Sequence, residues 1–174
     1  APASVIGCAG VGTPARPQVV VVGGGWGGLG AVRTLAASGK VDITLVEPND
    51  GFMSCPLSVL YVAGNAPASD FQRSYGVIDS LGVRRVRERV VEIDRAGRSV
   101  KTASQSIRYD FLVLATGIEY MDEALPGYAA AREQFPVGFR AFEQSAVQRQ
   151  VATFLEQGGN FVITVPKPPY RCPP

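Results

Sequence analysis

Hydrophobic positions along the chain follow two repeats, and their alternation predicts an α/β architecture. Gln18–Val22 is a run of β-branched residues after a single glutamine, the pattern of a strand buried on both faces. Glycines follow at once, and then Trp26–Ser38 places Leu29, Val32, Leu35 and Ala36 at helical spacing before Gly39 stops the helix. Residues 41–47 form a second apolar strand. Strand, turn, helix and strand in quick succession is the opening unit of a Rossmann-like, doubly wound parallel sheet.

Further along, residues 48–58 read as a loop with a short helix after it, 74–81 as a helix ending at Gly82, and 83–86 as a third strand. Segments 88–94, 99–103 and 106–109 alternate polar and apolar residues, with Ala96-Gly97 as a turn. They predict a small antiparallel insert with one solvated face. Residues 111–115 return to a buried strand, 118–136 are irregular, 140–156 form an amphipathic helix, and 160–165 read as another buried strand. Pro166, Pro168, Pro169, Pro173 and Pro174 then crowd the end. A buried strand so close to the last residue leads to the expectation that the chain is part of a longer protein.

Composition narrows the chemistry. The 174 residues are 46% apolar and 18% charged, ordinary for a soluble globular protein. A net charge of +2 argues against nucleic acid or an anionic membrane surface as partner. No apolar run approaches the roughly 18 residues of a membrane span. Histidine is absent, which excludes Ser/His and Cys/His hydrolysis, most zinc sites and covalent haem attachment within this chain. Cys8, Cys55 and Cys172 are scattered, so no metal site is expected and any thiol chemistry belongs to separate cysteines. Residues 1–17 are rich in small residues, proline and glycine, and read as a flexible tail or the remnant of an export signal. Val5-Ile6-Gly7-Cys8 loosely resembles a bacterial lipidation box.

Gly23-Gly24-Gly25-Trp26-Gly27-Gly28 contains G-x-G-x-x-G between a strand and a helix. Gly23 suits a tight turn, Gly25 leaves the backbone bare for a diphosphate, and Gly28 lets helix and strand pack closely. The helix start offers free N–H groups and partial positive charge to the anion. Glu47 closes the second strand, where an acid accepts from both ribose hydroxyls and disfavours a 2′-phosphate.

Tyr109-Asp110-Phe111-Leu112-Val113-Leu114-Ala115-Thr116-Gly117 resembles the second motif of the two-dinucleotide-domain flavoprotein reductases. That resemblance implies FAD at the glycine turn, with Thr116 and Gly117 beside it and Asp110 helping to position it. Residues 18–120 are then the first part of an FAD-binding domain, and 121–174 a connection and the start of a second domain. Where pyridine-nucleotide reductases carry a second glycine loop, this chain has Val165-Pro166-Lys167-Pro168-Pro169-Tyr170-Arg171-Cys172-Pro173-Pro174. Prolines remove N–H donors, which argues against NAD(P)H there.

Taken together, G-G-G-W-G-G, V-E-P-N-D followed by Cys55, L-A-T-G-I-E and Y-R-C-P-P resemble the flavoprotein subunit of flavocytochrome c sulfide dehydrogenases, relatives of sulfide:quinone reductases. The resemblance implies that Cys55 carries FAD through a thioether and that Cys172 is half of a redox disulfide, its partner lying further along the family's chain. It also implies sulfide as electron donor, haem held only by a c-type cytochrome subunit, and a periplasmic location. Arg171 beside Cys172 reads either as a solvated arginine or as a charge that favours the thiolate. The rival is an NADH-dependent flavoenzyme of the coenzyme A-disulfide reductase or peroxidase type, with Cys55 as its redox thiol. A non-catalytic flavin-binding electron-transfer module is a further alternative. The run Arg84, Arg85, Arg87, Arg89 reads as a solvated face, and Asp122 and Glu123 as loop surface.

Overall fold

The structure, a computed structural model, describes residues 15–162. The chain divides into two compact units. The first holds residues 15–52 and Ser74–Glu119, and the second Met53–Arg73 and 120–162.

In the first unit, β1 (Gln18–Val22) leads through the glycine turn into α1 (Trp26–Ser38) and on to β2 (Asp42–Val46). The chain leaves this unit along β3 (Gly51–Met53), passes α2 (Val59–Val62) in the second, and returns along β4 (Gln72–Ser74). There follow α3 (Gly76–Asp79), β5 (Arg84–Val86), the antiparallel β6 (Glu92–Asp94), β7 (Ser99–Lys101) and β8 (Ser106–Arg108), and finally β9 (Phe111–Leu114). The main sheet is parallel in the order β5-β2-β1-β9. This is the Rossmann-like arrangement that the hydrophobic pattern predicts.

Alternation along β1 splits the core. Val19 and Val21 pack with Val32 of α1, Ile43, Leu45, Tyr75, Ile78 and Val83. Val20 and Val22 face the other way, toward Val46, Val86, Val100 and Ile107, so the small antiparallel sheet covers that side. Successive side chains of a strand point to opposite faces, and a central strand covered on both must be apolar throughout. That is why β1 reads as unbroken valine.

Several local expectations are corrected. Residues 51–53, expected in a loop, form β3. The helix expected over 74–81 shrinks to α3, because the Tyr75 N–H bonds to the Asp50 carbonyl at 3.3 Å and Ser74 belongs to β4. Strand β9 is only partly covered: Phe111 and Leu114 stay about 60% exposed, since β9 is the edge of the sheet among the described residues. Residues 160–162 are exposed and carry no strand pairing, and 163–165 lie outside the described residues.

The second unit contains α2, α4 (Tyr128–Ala131) and α5 (Gln144–Gln157), with α2 packed on α5. α5 starts four residues later than its hydrophobic pattern suggests. Arg140 and Glu143 instead close a turn through Arg140 N–H to Val137 O and Glu143 N–H to Arg140 O. No helix among the described residues is long and apolar enough to cross a membrane.

Candidate functional site

The glycine turn sits where β1 gives way to α1, at the carboxyl end of the parallel strands. Gly23 has φ +98°, a conformation that a side chain strongly disfavours. A methyl group there would overlap the Ala115 carbonyl, and one at Gly28 would overlap the Gly23 carbonyl. Both glycines are therefore required by backbone-on-backbone packing. Gly25 differs. It is extended, and a methyl group on it would meet nothing within 4 Å. Gly25 also occupies the N-cap of α1 without any side-chain cap, and the first helical bond runs from Leu29 N–H to Gly25 O. The amides at the start of α1 thus have no acceptor within the helix, beside an uncluttered backbone. That geometry fits a diphosphate.

Glu47 is tied to this turn. One carboxylate oxygen accepts the Gly24 N–H at 2.8 Å, and the other accepts the Asn49 N–H at 3.0 Å and its side-chain amide at 2.7 Å. A carboxylate has about four acceptor sites, so three protein bonds leave room for a ribose hydroxyl. Asn49, which holds the acid in place, was not singled out from the sequence.

Tyr75 is a second residue that periodicity did not reveal. Its side chain is 1% exposed, and its hydroxyl donates to the Gly24 carbonyl at 2.9 Å. The ring stacks on Phe52, whose other neighbour is the exposed Trp26 of the turn. The Arg85 guanidinium lies over the Tyr75 ring, 5.0 Å from its centre, and pairs with Asp50 at 3.3 Å and Asp79 at 3.6 Å. Arg85 is thus largely buried and ion-paired, a correction to the solvated face expected for the arginine run. Burial, then the nearby Glu47 charge, pushes the Tyr75 hydroxyl up to about 12, against the opposing pull of Arg85. It remains a donor throughout the neutral range.

Thr116 and Gly117 follow β9 beside the same turn: the Thr116 Cα stands 3.1 Å from where a Gly23 side chain would begin, and Gly117 has φ +77°. Asp110 lies elsewhere. Its carboxylate accepts the Gln18 N–H at 2.7 Å, and its own N–H donates to Gln18 O at 2.8 Å. That is the opposite end of β1, about 15 Å from the turn at some 3.3 Å per residue. What Asp110 positions is the β1–β9 pair rather than the turn.

Cys55 belongs to the second unit. Its thiol is exposed, 3.9 Å from the Phe139 carbonyl, on a loop whose flanking Ser54 and Ser58 are buried. The Ser58 hydroxyl donates to the Cys55 carbonyl at 2.8 Å and accepts from the Gln144 amide at 2.7 Å. Cys172 lies outside the described residues, as does Cys8. Asp122, expected at the loop surface, is instead paired with Arg140 and with Arg132, while Glu123 is exposed as expected. The hydrogen bond from Arg140 holds Asp122 below the usual carboxylate range. Glu143 is also held low: burial opposes this, but the Val137 N–H and the Arg132 guanidinium outweigh it.

Comparison with known proteins finds several partial likenesses. Mouse mitochondrial sulfide:quinone oxidoreductase is 27% identical over 157 residues, covering 89% of this chain and 35% of that protein. An NADH dehydrogenase-like protein of Mycobacterium tuberculosis is 35% identical over 123 residues, 64% of this chain and 29% of that one. The flavoprotein chain of a flavocytochrome c sulfide dehydrogenase from Chlorobaculum thiosulfatiphilum is 45% identical over 42 residues, 24% of this chain and 88% of that sequence. The crystal structure of Aquifex aeolicus sulfide:quinone oxidoreductase superposes with a TM-score of 0.68 at 23% identity, over 82% of this chain and 33% of that one. The chain therefore spans about a third of the length of the first of these relatives. Residues 17–152 match the family model described as pyridine nucleotide-disulphide oxidoreductase. The chain belongs to the pyridine nucleotide-disulphide oxidoreductase family of flavin-dependent enzymes.

Proposed function

We propose that this chain supplies the FAD-binding portion of a sulfide-oxidising flavoprotein that delivers electrons to a c-type cytochrome subunit. The observation that carries the reading is the glycine turn: bare at Gly25, uncapped at the helix start, and bordered by Glu47. The relatives named for sulfide supply the substrate class.

In this reading the amides that open α1 bind the diphosphate, Glu47 accepts from the ribose, and Thr116 and Gly117 line the approach. FAD, when bound, supplies acceptance of two electrons and their release one at a time. Cys55 offers an exposed thiol for a covalent link to the flavin. Cys172 is the redox cysteine: when it is paired in a disulfide, hydrosulfide attack on the partner sulfur breaks the S–S bond, forms a persulfide on the partner and releases Cys172 as the thiolate. Haem resides on the cytochrome subunit, and the assembly works in the periplasm.

Acid precipitation of the full-length holoprotein tests the covalent link. The yellow colour stays with the pellet in the wild type and moves to the supernatant in Cys55→Ser. Flavin that washes free of the wild type removes the covalent role. Anaerobic mixing tests the electron donor: sulfide bleaches the flavin, and NADH does not. Bleaching by NADH alone would favour the second reading, an NADH-dependent reductase, which the likeness to an NADH dehydrogenase-like protein supports.

A further inference from the structure

We infer that Tyr75 is a positioning residue for the dinucleotide's diphosphate, acting by fixing the orientation of the peptide between Gly24 and Gly25. This rests on the reading that the glycine turn takes a dinucleotide. The peptide group is planar and trans, so the Gly24 carbonyl and the Gly25 N–H point in opposite directions. The Tyr75 hydroxyl holds the carbonyl at 2.9 Å. The Gly25 N–H is therefore turned away from Tyr75, at the one glycine of the turn where an added methyl group would meet nothing within 4 Å.

The need for such a clamp follows from the sequence. Gly23, Gly24 and Gly25 are three residues with little intrinsic preference, and a peptide flanked by two glycines flips with little steric resistance. Glu47 restrains the preceding peptide by accepting the Gly24 N–H at 2.8 Å, but it does not reach the next one. Tyr75 does, and it is itself held by stacking on Phe52 and by the Arg85 guanidinium. The fit also explains why position 24 is glycine: a Cβ there would stand 2.5 Å from the Tyr75 oxygen and 2.8 Å from Glu47 Cγ. Because the Tyr75 proton is retained up to about pH 12, the hydroxyl donates at every pH at which FAD is handled.

The experiment uses the full chain in a Cys55→Ser background, so that flavin binding is reversible. FAD and ADP affinities are measured, together with the phosphorus NMR spectrum of bound ADP. Tyr75→Phe keeps the ring and its packing but removes the donor. It is expected to weaken both ligands about tenfold, the loss of one buried hydrogen bond, and to shift both phosphorus resonances. The melting temperature of the ligand-free protein falls as well, because the same buried bond is lost there; a purely structural role would give that fall with unchanged ADP affinity and unchanged phosphorus resonances. Gly24→Ala, which drives a methyl group against the same hydroxyl, is a second route and is expected to give the same loss. Unchanged ADP affinity and unchanged phosphorus resonances in either variant would overturn the inference. If the protein with an intact turn binds neither ADP nor FAD, the dinucleotide reading fails and takes the inference with it.

Discussion

The glycines of the turn do different work, and substitution separates them. Gly28→Ala forces a methyl group into the Gly23 carbonyl, so it is expected to cost about 1–3 kcal/mol of stability as well as flavin binding. Gly25→Ala meets no protein atom. Its only folding cost is the poorer N-cap, about 1 kcal/mol or less, while flavin affinity falls because the methyl group stands where the diphosphate approaches. Urea titration and flavin binding on the two variants check the contrast, and an equal loss of stability in both would refute it. Tyr75 adds a pH signature. Its hydroxyl is raised to about 12, so the protonated form is favoured in the folded chain. The resulting stabilisation is complete below pH 10 and is lost as pH rises toward about 12. Tyr75→Phe is expected to flatten that alkaline decline in a pH series of melting temperatures.

At the scale of elements, charge decides two features that hydrophobic spacing misses. The turn before α5 is built on Asp122, Arg132, Arg140 and Glu143, joined by ion pairs. Both carboxyls are held below their ordinary range, so their contribution is present above about pH 4–5 and is lost as pH falls through their depressed values. Arg140→Met is expected to remove the part of this acid dependence that Asp122 carries and to leave the part held by Glu143 through the Val137 N–H and Arg132, visible as a shallower fall of stability in acid. Around Arg85, the run of arginines reads as a polar face because its other members are exposed: Arg84 takes the opposite side of β5, and Arg87 and Arg89 lie beyond the strand. Strand β5 turns Arg85 inward, where Asp50, Asp79 and the Tyr75 ring compensate the cost of burying a cation.

For the whole molecule, binding and folding are linked. A ligand that binds only the folded chain stabilises it by about 2.7 kcal/mol at a hundredfold excess over its dissociation constant. In the Cys55→Ser background, FAD is therefore expected to raise the melting temperature of the protein with an intact turn and to leave Gly25→Ala nearly unmoved, which differential scanning calorimetry can check. The parallel sheet, α1 with its glycine turn, Glu47 at the end of β2 and the antiparallel insert were all legible in the chain itself. Each depends on neighbours a few residues apart: alternation along a strand, 3.6-residue spacing along a helix, glycine where the backbone must turn tightly. Tyr75, Arg85 and the Asp122–Arg140 pair were not legible, nor was the role of Asp110 as a clamp on Gln18. Tyr75 and Gly24 are 51 positions apart, and Asp110 and Gln18 are 92. No periodic pattern encodes a contact across such a separation. Only the order in which the strands pair brings Tyr75 and Asp110 to the backbone they hold.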